Sequence, residues 1–221
     1  MKSTVILFDV NETLIDMSPL KKKVNSVLDS KRGFQIWFGM LLHYSLVDNC
    51  TGVYHDFSTI ANATLDMAAK ALEKELDEDE KKETLALIKK LSAYSDVEPG
   101  LKLFKDAGYR LATLTNSPME ILTAQLEHAG INSYFEATLS IDAIKKYKPD
   151  LGTYQYAAQQ LGVAPNGVLM IAAHGWDIAG ALQAGLKTAF IERKGKSLYP
   201  LFAAPTYHGK DLVQLAKQIL K

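Results

Sequence analysis

Val5-Ile6-Leu7-Phe8 is an unbroken apolar run that ends on a carboxylate, Asp9. A strand with one wet face alternates apolar and polar side chains, because successive residues point to opposite faces. A strand without alternation is covered on both faces, as in a parallel sheet flanked by helices. The run therefore predicts a buried parallel strand with Asp9 at its carboxyl end. The second half of the chain repeats this texture. Arg110 to Leu114, Tyr134 to Leu139, Val168 to Ala172 and Thr188 to Ile191 read as further strands. Leu101 to Ala107, Glu120 to His128, Asp150 to Leu161, Asp177 to Ala184 and Asp211 to Leu220 read as helices. The first four are stopped by Gly108, Gly130, Gly162 and Gly185, since glycine readily takes the left-handed conformation past a helix end. Strands alternating with helices at this spacing predict an α/β fold built on a doubly wound parallel sheet.

Residues 17–95 differ. Gln35 to Val47 is strongly apolar, with Trp37, Phe38 and Tyr44. Phe57 to Leu76 repeats apolar residues at helical spacing, and Asp77 to Leu91 reads as a charged amphipathic helix. The acidic start and lysine-rich later turns of that helix suit its dipole. The first strand precedes this block. Residues 17–95 are therefore expected to form an inserted helical cap, and 1–16 with 96–221 the α/β core. The 221 residues are 48% apolar and 23% charged, enough for a sizeable core and unlike a disordered chain. Twenty-five basic and 25 acidic residues balance, so nothing electrostatic points to nucleic acid or an anionic membrane. No apolar run approaches the roughly 18–20 residues that span a bilayer. Met1 to Asp9 lacks a signal-peptide layout, so a cytoplasmic location is expected. Cys50 is the single cysteine, forbids an internal disulfide, and is expected as a buried structural thiol.

In open parallel sheets, ligands bind beyond the carboxyl ends of the strands. Four places there carry polar groups: Asp9, Asn11 and Thr13; Thr115 and Asn116; Lys148; and His174 with Asp177. A carboxylate opposite a lysine stays ionised at neutral pH and can act as a nucleophile. Blander roles are open to each: turn formation for Asp9 and Asn116, a helix cap for Asp177, a solvated side chain for Lys148, a structural ring for His174. His43, His55, His128 and His208 show no metal-ligand spacing. Lys21-Lys22-Lys23 reads as a solvated helix face.

Phe8-Asp9-Val10-Asn11-Glu12-Thr13-Leu14 resembles the opening motif of the haloacid dehalogenase superfamily. Thr115-Asn116 resembles its second motif, Lys148-Pro149 its third, and Trp176-Asp177 followed by Ile178-Ala179-Gly180-Ala181 its fourth. Within the superfamily the chain is most similar to the type II 2-haloacid dehalogenases, on Lys148-Pro149 followed by Tyr154 and on Trp176 before Asp177. The resemblance implies that Asp9 attacks the carbon bearing the halogen and that water then hydrolyses the ester to a 2-hydroxy acid. It implies that Lys148 holds Asp9 charged and that Asp177 places or activates the water. Thr115 and Asn116 would donate to the substrate carboxylate and the leaving halide. Val10, Asn11, Phe38 and Tyr154 would complete the substrate site. The cap, with Trp37, Phe38 and Tyr44, would close over it and exclude bulk water. No cofactor and no metal are implied. The expected partners are a short 2-haloacid or similar small molecule and, because an aromatic-rich cap suits a subunit interface, a second copy of the chain.

Four positions depart from the family patterns. Magnesium-dependent phosphatases of the superfamily carry carboxylates where this chain has Asn11 and Ala173, so phosphatase activity is the second reading. Dehalogenases usually follow the cap tryptophan with a halide-binding arginine, where this chain has Phe38; Arg32 lies about a turn and a half away. His174 stands where asparagine is usual. It is expected to share the role of base with Asp177, or to belong to a halide pocket. A non-catalytic binding protein is a third reading, disfavoured by the presence of both Asp9 and Lys148.

Overall fold

The computed structural model describes residues 5–221, so the part of the N-terminal run before Val5 lies outside the described residues. Strand β1 (Val5–Phe8) leads directly into four helices: α1 (Ser18–Val27), α2 (Gly33–Thr51), α3 (Phe57–Ala71) and α4 (Glu78–Ala86). Then α5 (Val97–Asp106), β2 (Arg110–Thr115), α6 (Met119–His128), β3 (Ala137–Ser140) and α7 (Leu151–Gln160) follow. The chain continues through β4 (Val168–Ala172), α8 (Gly175–Gln183), β5 (Lys187–Ile191), β6 (Tyr207–Gly209) and α9 (Leu212–Ile219).

The six strands form one parallel sheet in the order β3-β2-β1-β4-β5-β6. β1 is central, and all four of its side chains are fully buried, as the absence of alternation requires. Phe8 packs edge-on against Phe104 of α5 and against Phe135. From β1 the chain winds to β2 and β3 on one side, then returns to β4, β5 and β6 on the other. The strand order therefore reverses between β1 and β4. That crevice is where such sheets bind ligands, and Asp9 and His174 stand at its mouth.

Helices α1 to α4 pack on one another, whereas α5 packs on β2 and α9. The Trp37 indole on α2 donates to the Ala61 carbonyl of α3 at 2.9 Å, and Phe34 stacks on Phe38. Asn49 of α2 reaches across to the segment before α7. Its amide donates to the Tyr147 carbonyl and accepts from the Tyr147 N–H, both at 2.9 Å. Two reciprocal bonds thus tie α2 to the residue next to Lys148.

Several expectations are corrected. Cys50 is exposed, on the outward side of α2. Tyr44 is 37% exposed and pairs with His43, so it does not close over the crevice. Trp37 and Phe38 point inward, which removes them as interface surface. The strand expected from Tyr134 begins at Ala137, because Asn132–Tyr134 forms a short 3-10 turn. The helix expected over Asp77 to Leu91 ends at Ala86 and tightens into a 3-10 turn, Leu87–Lys90. Strand β6 is a three-residue edge pairing with no apolar run to announce it. Among the described residues no helix is long and apolar enough to cross a membrane.

Candidate active site

The turn after β1 is built to present Asp9. The N–H groups of Leu14 and Ile15 converge on the Val10 carbonyl at 2.9 and 3.0 Å. Such a tight turn forces Glu12 to φ 59°, a left-handed conformation that costs a residue with a Cβ about 1–3 kcal/mol. The Arg193 guanidinium clamps the turn from outside. It donates to the Thr13 carbonyl at 2.9 and 3.2 Å and to Asp96 at 2.8 Å.

Both oxygens of Asp9 are held. Lys148 Nζ donates to Oδ1 at 2.8 Å. The Thr13 hydroxyl donates to Oδ2 at 2.6 Å, and His174 Nδ1 lies 3.1 Å from the same oxygen. The Thr13 oxygen itself accepts from the Ala173 N–H, which fixes it. Burial alone would raise the Asp9 pKa. The Lys148 ammonium and the His174 ring outweigh that and hold it well below the usual carboxylate range.

Lys148 Nζ also donates to Asp177 Oδ2 at 2.7 Å and to the Leu114 carbonyl at 3.1 Å, so its three protons are used. Its backbone N–H donates to Asn116 Oδ1, which joins the second strand end to the third. Burial disfavours the ammonium, but Asp177 and Asp9 more than compensate and raise its pKa. Asp177 is fully buried. Its pKa is raised by burial, with Lys148 opposing and Asp9 reinforcing the rise. Two carboxylates on one lysine are thus pushed in opposite directions, a pattern that separates a nucleophile from an acid or base.

Four expected site residues stand differently from the sequence reading. Asp177 is not a cap, because α8 begins at Gly175 and His174 occupies the cap position. Tyr154 is fully buried and stands behind Asp177, donating to its Oδ1 at 2.6 Å rather than facing the crevice. Val10 contributes its carbonyl to the turn, and its side chain is buried. His174 faces Asp9 and Glu12, not Asp177. Its Nε2 lies 3.0 Å from Glu12 Oε2, and Lys196 pairs with the same Glu12 oxygen. Burial would lower the His174 pKa, but hydrogen bonds to the two carboxylates raise it. A carboxylate beside each nitrogen favours the protonated ring, which has no lone pair for a water proton. The expectation of a base shared with Asp177 fails on that geometry.

Asp9, Asn11, Thr115, Asn116, Lys148 and His174 all line one small cavity of about 20 Å³. Phe38, Leu42, Phe57 and Trp176 form its apolar side. Asn11 is locked, its amide nitrogen donating to Ser117 and its oxygen accepting from Gln125. A larger cavity of about 190 Å³ lies alongside and shares Asn11, Phe38 and Phe57 with the first. Among the described residues no group of three or more His, Cys, Asp or Glu side chains is placed to hold a metal ion. Sequence reasoning missed Glu12, Ser117, Gln125 and Lys196. Glu12 lay inside the quoted motif, whereas Lys196 sits in the loop after β5 and carries no local signal.

Residues 4–185 match the model of a haloacid dehalogenase-like hydrolase. The chain belongs to the haloacid dehalogenase-like hydrolases. Over 97% of its length it is 32% identical to (S)-2-haloacid dehalogenase 4A of Burkholderia cepacia, covering 96% of that protein. It is 30% identical to (S)-2-haloacid dehalogenase 1 of a Pseudomonas species, with the same coverage of both chains. A crystal structure of a dehalogenase with an intermediate complex superposes on it with a TM-score of 0.92 at 30% identity, over 100% of this chain and 98% of that one.

Proposed function

We propose that this hydrolase is a 2-haloacid dehalogenase that acts on (S)-2-haloacids through an ester on Asp9. The observation that carries the reading is the buried Asp9–Lys148–Asp177 chain at the crevice of the sheet, in a protein similar over nearly its whole length to named (S)-2-haloacid dehalogenases. In this reading residues 17–95 are a cap over a core of 1–16 and 96–221.

Asp9 is ionised at every working pH, and Lys148 aims one of its oxygens. Oδ1 attacks the α-carbon; the new C–O bond forms as the C–halogen bond breaks, and its electron pair leaves with the halide. Oδ2 then becomes the carbonyl oxygen of the ester. It already receives Thr13 and His174 as donors, so the oxyanion that forms when water attacks the ester carbon meets a prepared site. His174 is therefore a charge-stabilising group, and Glu12 with Lys196 positions it. The Lys148 ammonium hands one proton to Asp177 and takes the water's proton in its place, so one proton is stored on Asp177. It then moves to the departing alkoxide, giving the 2-hydroxy acid, and Asp9 re-ionises with loss of the second proton. Thr115 and Asn116, on the wall of the same cavity, bind the substrate carboxylate and halide.

The test is halide release from 2-chloropropanoate with and without a chelator, beside phosphate release from a generic phosphate ester. Halide release indifferent to chelator supports the reading. Phosphate release abolished by chelator, with no halide formed, overturns it in favour of a phosphatase.

A further inference from the structure

The two adjoining cavities differ in size and chemistry. The one at Asp9 measures about 20 Å³, close to the space of a single water. Its neighbour measures about 190 Å³, more than the roughly 150 Å³ of an engineered apolar cavity that binds benzene. Asn11, Phe38 and Phe57 line both, so a group leaving the reaction cavity past these side chains enters the larger one.

We propose that this larger cavity is a subsite for the side chain on the substrate's α-carbon, and that the enzyme prefers 2-haloacids bearing a medium alkyl or a phenylmethyl group. The inference rests on the dehalogenase reading above. The reacting carbon must lie against Asp9, where little space remains, so a larger substituent has the neighbouring volume as its place. The walls come from several separate elements. Leu20 of α1, Trp37 and Leu41 of α2, Leu85 of α4, Ile88 of the following 3-10 turn and Ile121 of α6 all face it. Interiors close-pack and keep few voids larger than a water, because lining atoms across a void lose their contacts. A partly open cleft of this size, walled by apolar side chains from α1, α2, α4 and α6, presents apolar surface that an apolar group would cover.

Of the polar groups on its wall, Asn11 and Lys89 are already engaged, and Ser58 and Ser117 carry no charge. The Asn11 amide is held by Ser117 and Gln125, and the Lys89 ammonium pairs with Glu120 at the surface. Neither is a free partner for a second charged group, so the occupant is uncharged hydrocarbon.

The test is a series of kcat/KM values from halide release on 2-chloropropanoate, 2-chlorobutanoate, 2-chlorohexanoate and 2-chloro-3-phenylpropanoate. Each methylene that enters the cavity should raise kcat/KM about fourfold until it is full. Ala61→Phe, which places a ring in the cavity from α3, should cut the preference for the phenyl acid over 2-chloropropanoate at least tenfold. Ile121→Trp fills it from the opposite wall and should do the same. The series on the unaltered protein decides the matter even if neither variant folds. Turnover of 2-chloropropanoate with equal or falling kcat/KM along the series overturns the subsite and leaves the dehalogenase reading standing. Folded variants that keep the parent preference also overturn it. No halide from any member overturns the dehalogenase reading, and the subsite with it.

Discussion

Asp9 and His174 share one buried contact, and their pKa values move in opposite directions because of it. A depressed carboxylate contributes stability above its ordinary pKa and loses it only as pH falls through the lower folded value. Asp9 therefore does not set an acid limit in the neutral range. A raised histidine contributes fully below about 6.5 and loses that contribution as pH rises through the higher folded value. The alkaline limb of ester hydrolysis should thus lie above 6.5. Glu12→Gln removes one of the two carboxylates that hold the imidazolium, so the limb should move to lower pH. A pH–rate profile, with NMR titration of the His174 ring, reads this directly; an unmoved limb would detach His174 from it. Asp9→Asn should abolish halide release yet leave the protein folded, because Lys148 keeps Asp177 as a buried partner. Removing Lys148 instead would strand two buried carboxylates, a loss of about 3–5 kcal/mol. Halide release by Asp9→Asn near the parent rate would refute its assignment.

The elements behind the site hold the second carboxylate. Gly180 on α8 lies so close to α7 that an added Cβ would stand 2.6 Å from Pro149 Cβ and 2.7 Å from the Tyr154 hydroxyl. Gly180→Ala should therefore cost about 1–3 kcal/mol in denaturant unfolding, as overpacking does. It should also push the Tyr154 hydroxyl off Asp177 and slow ester hydrolysis more than ester formation, visible as a burst of halide before a slower steady state. The strands and helices themselves were legible in the sequence, because unbroken apolar runs and glycine stops are local signals. The short edge strand β6 was not, since three residues, Tyr207, His208 and Gly209, are too few to carry a periodicity. Asp9, Thr115 and Asn116 were legible as candidates because they sit at strand ends, and Lys148 because it stands in a Lys-Pro pair just before α7. The partners of His174 were not, because Glu12 and Lys196 reach it through side chains brought together only by the fold.

At the scale of the whole molecule, the crevice is lined both from the strand ends and from α2 and α3, and side-chain bonds join these parts. Asn49 makes one of those joints, bonding both backbone groups of Tyr147 beside Lys148. Asn49→Ala leaves two polar backbone groups short of partners and should destabilise the protein by about 1–3 kcal/mol, measured by thermal or denaturant unfolding. The same change loosens the segment that carries Lys148, so kcat should fall as well. In the proposed reaction the substrate passes through a covalent ester on Asp9, and isotope labelling tests this directly. In a single turnover, with enzyme in excess over a 2-haloacid and in water enriched in the heavy oxygen isotope, the product hydroxyl should carry ordinary oxygen taken from Asp9. The heavy isotope should appear in the peptide containing Asp9. Heavy oxygen in the product of that first turnover, with the Asp9 peptide unlabelled, would mean that water attacks the substrate directly and would contradict the account.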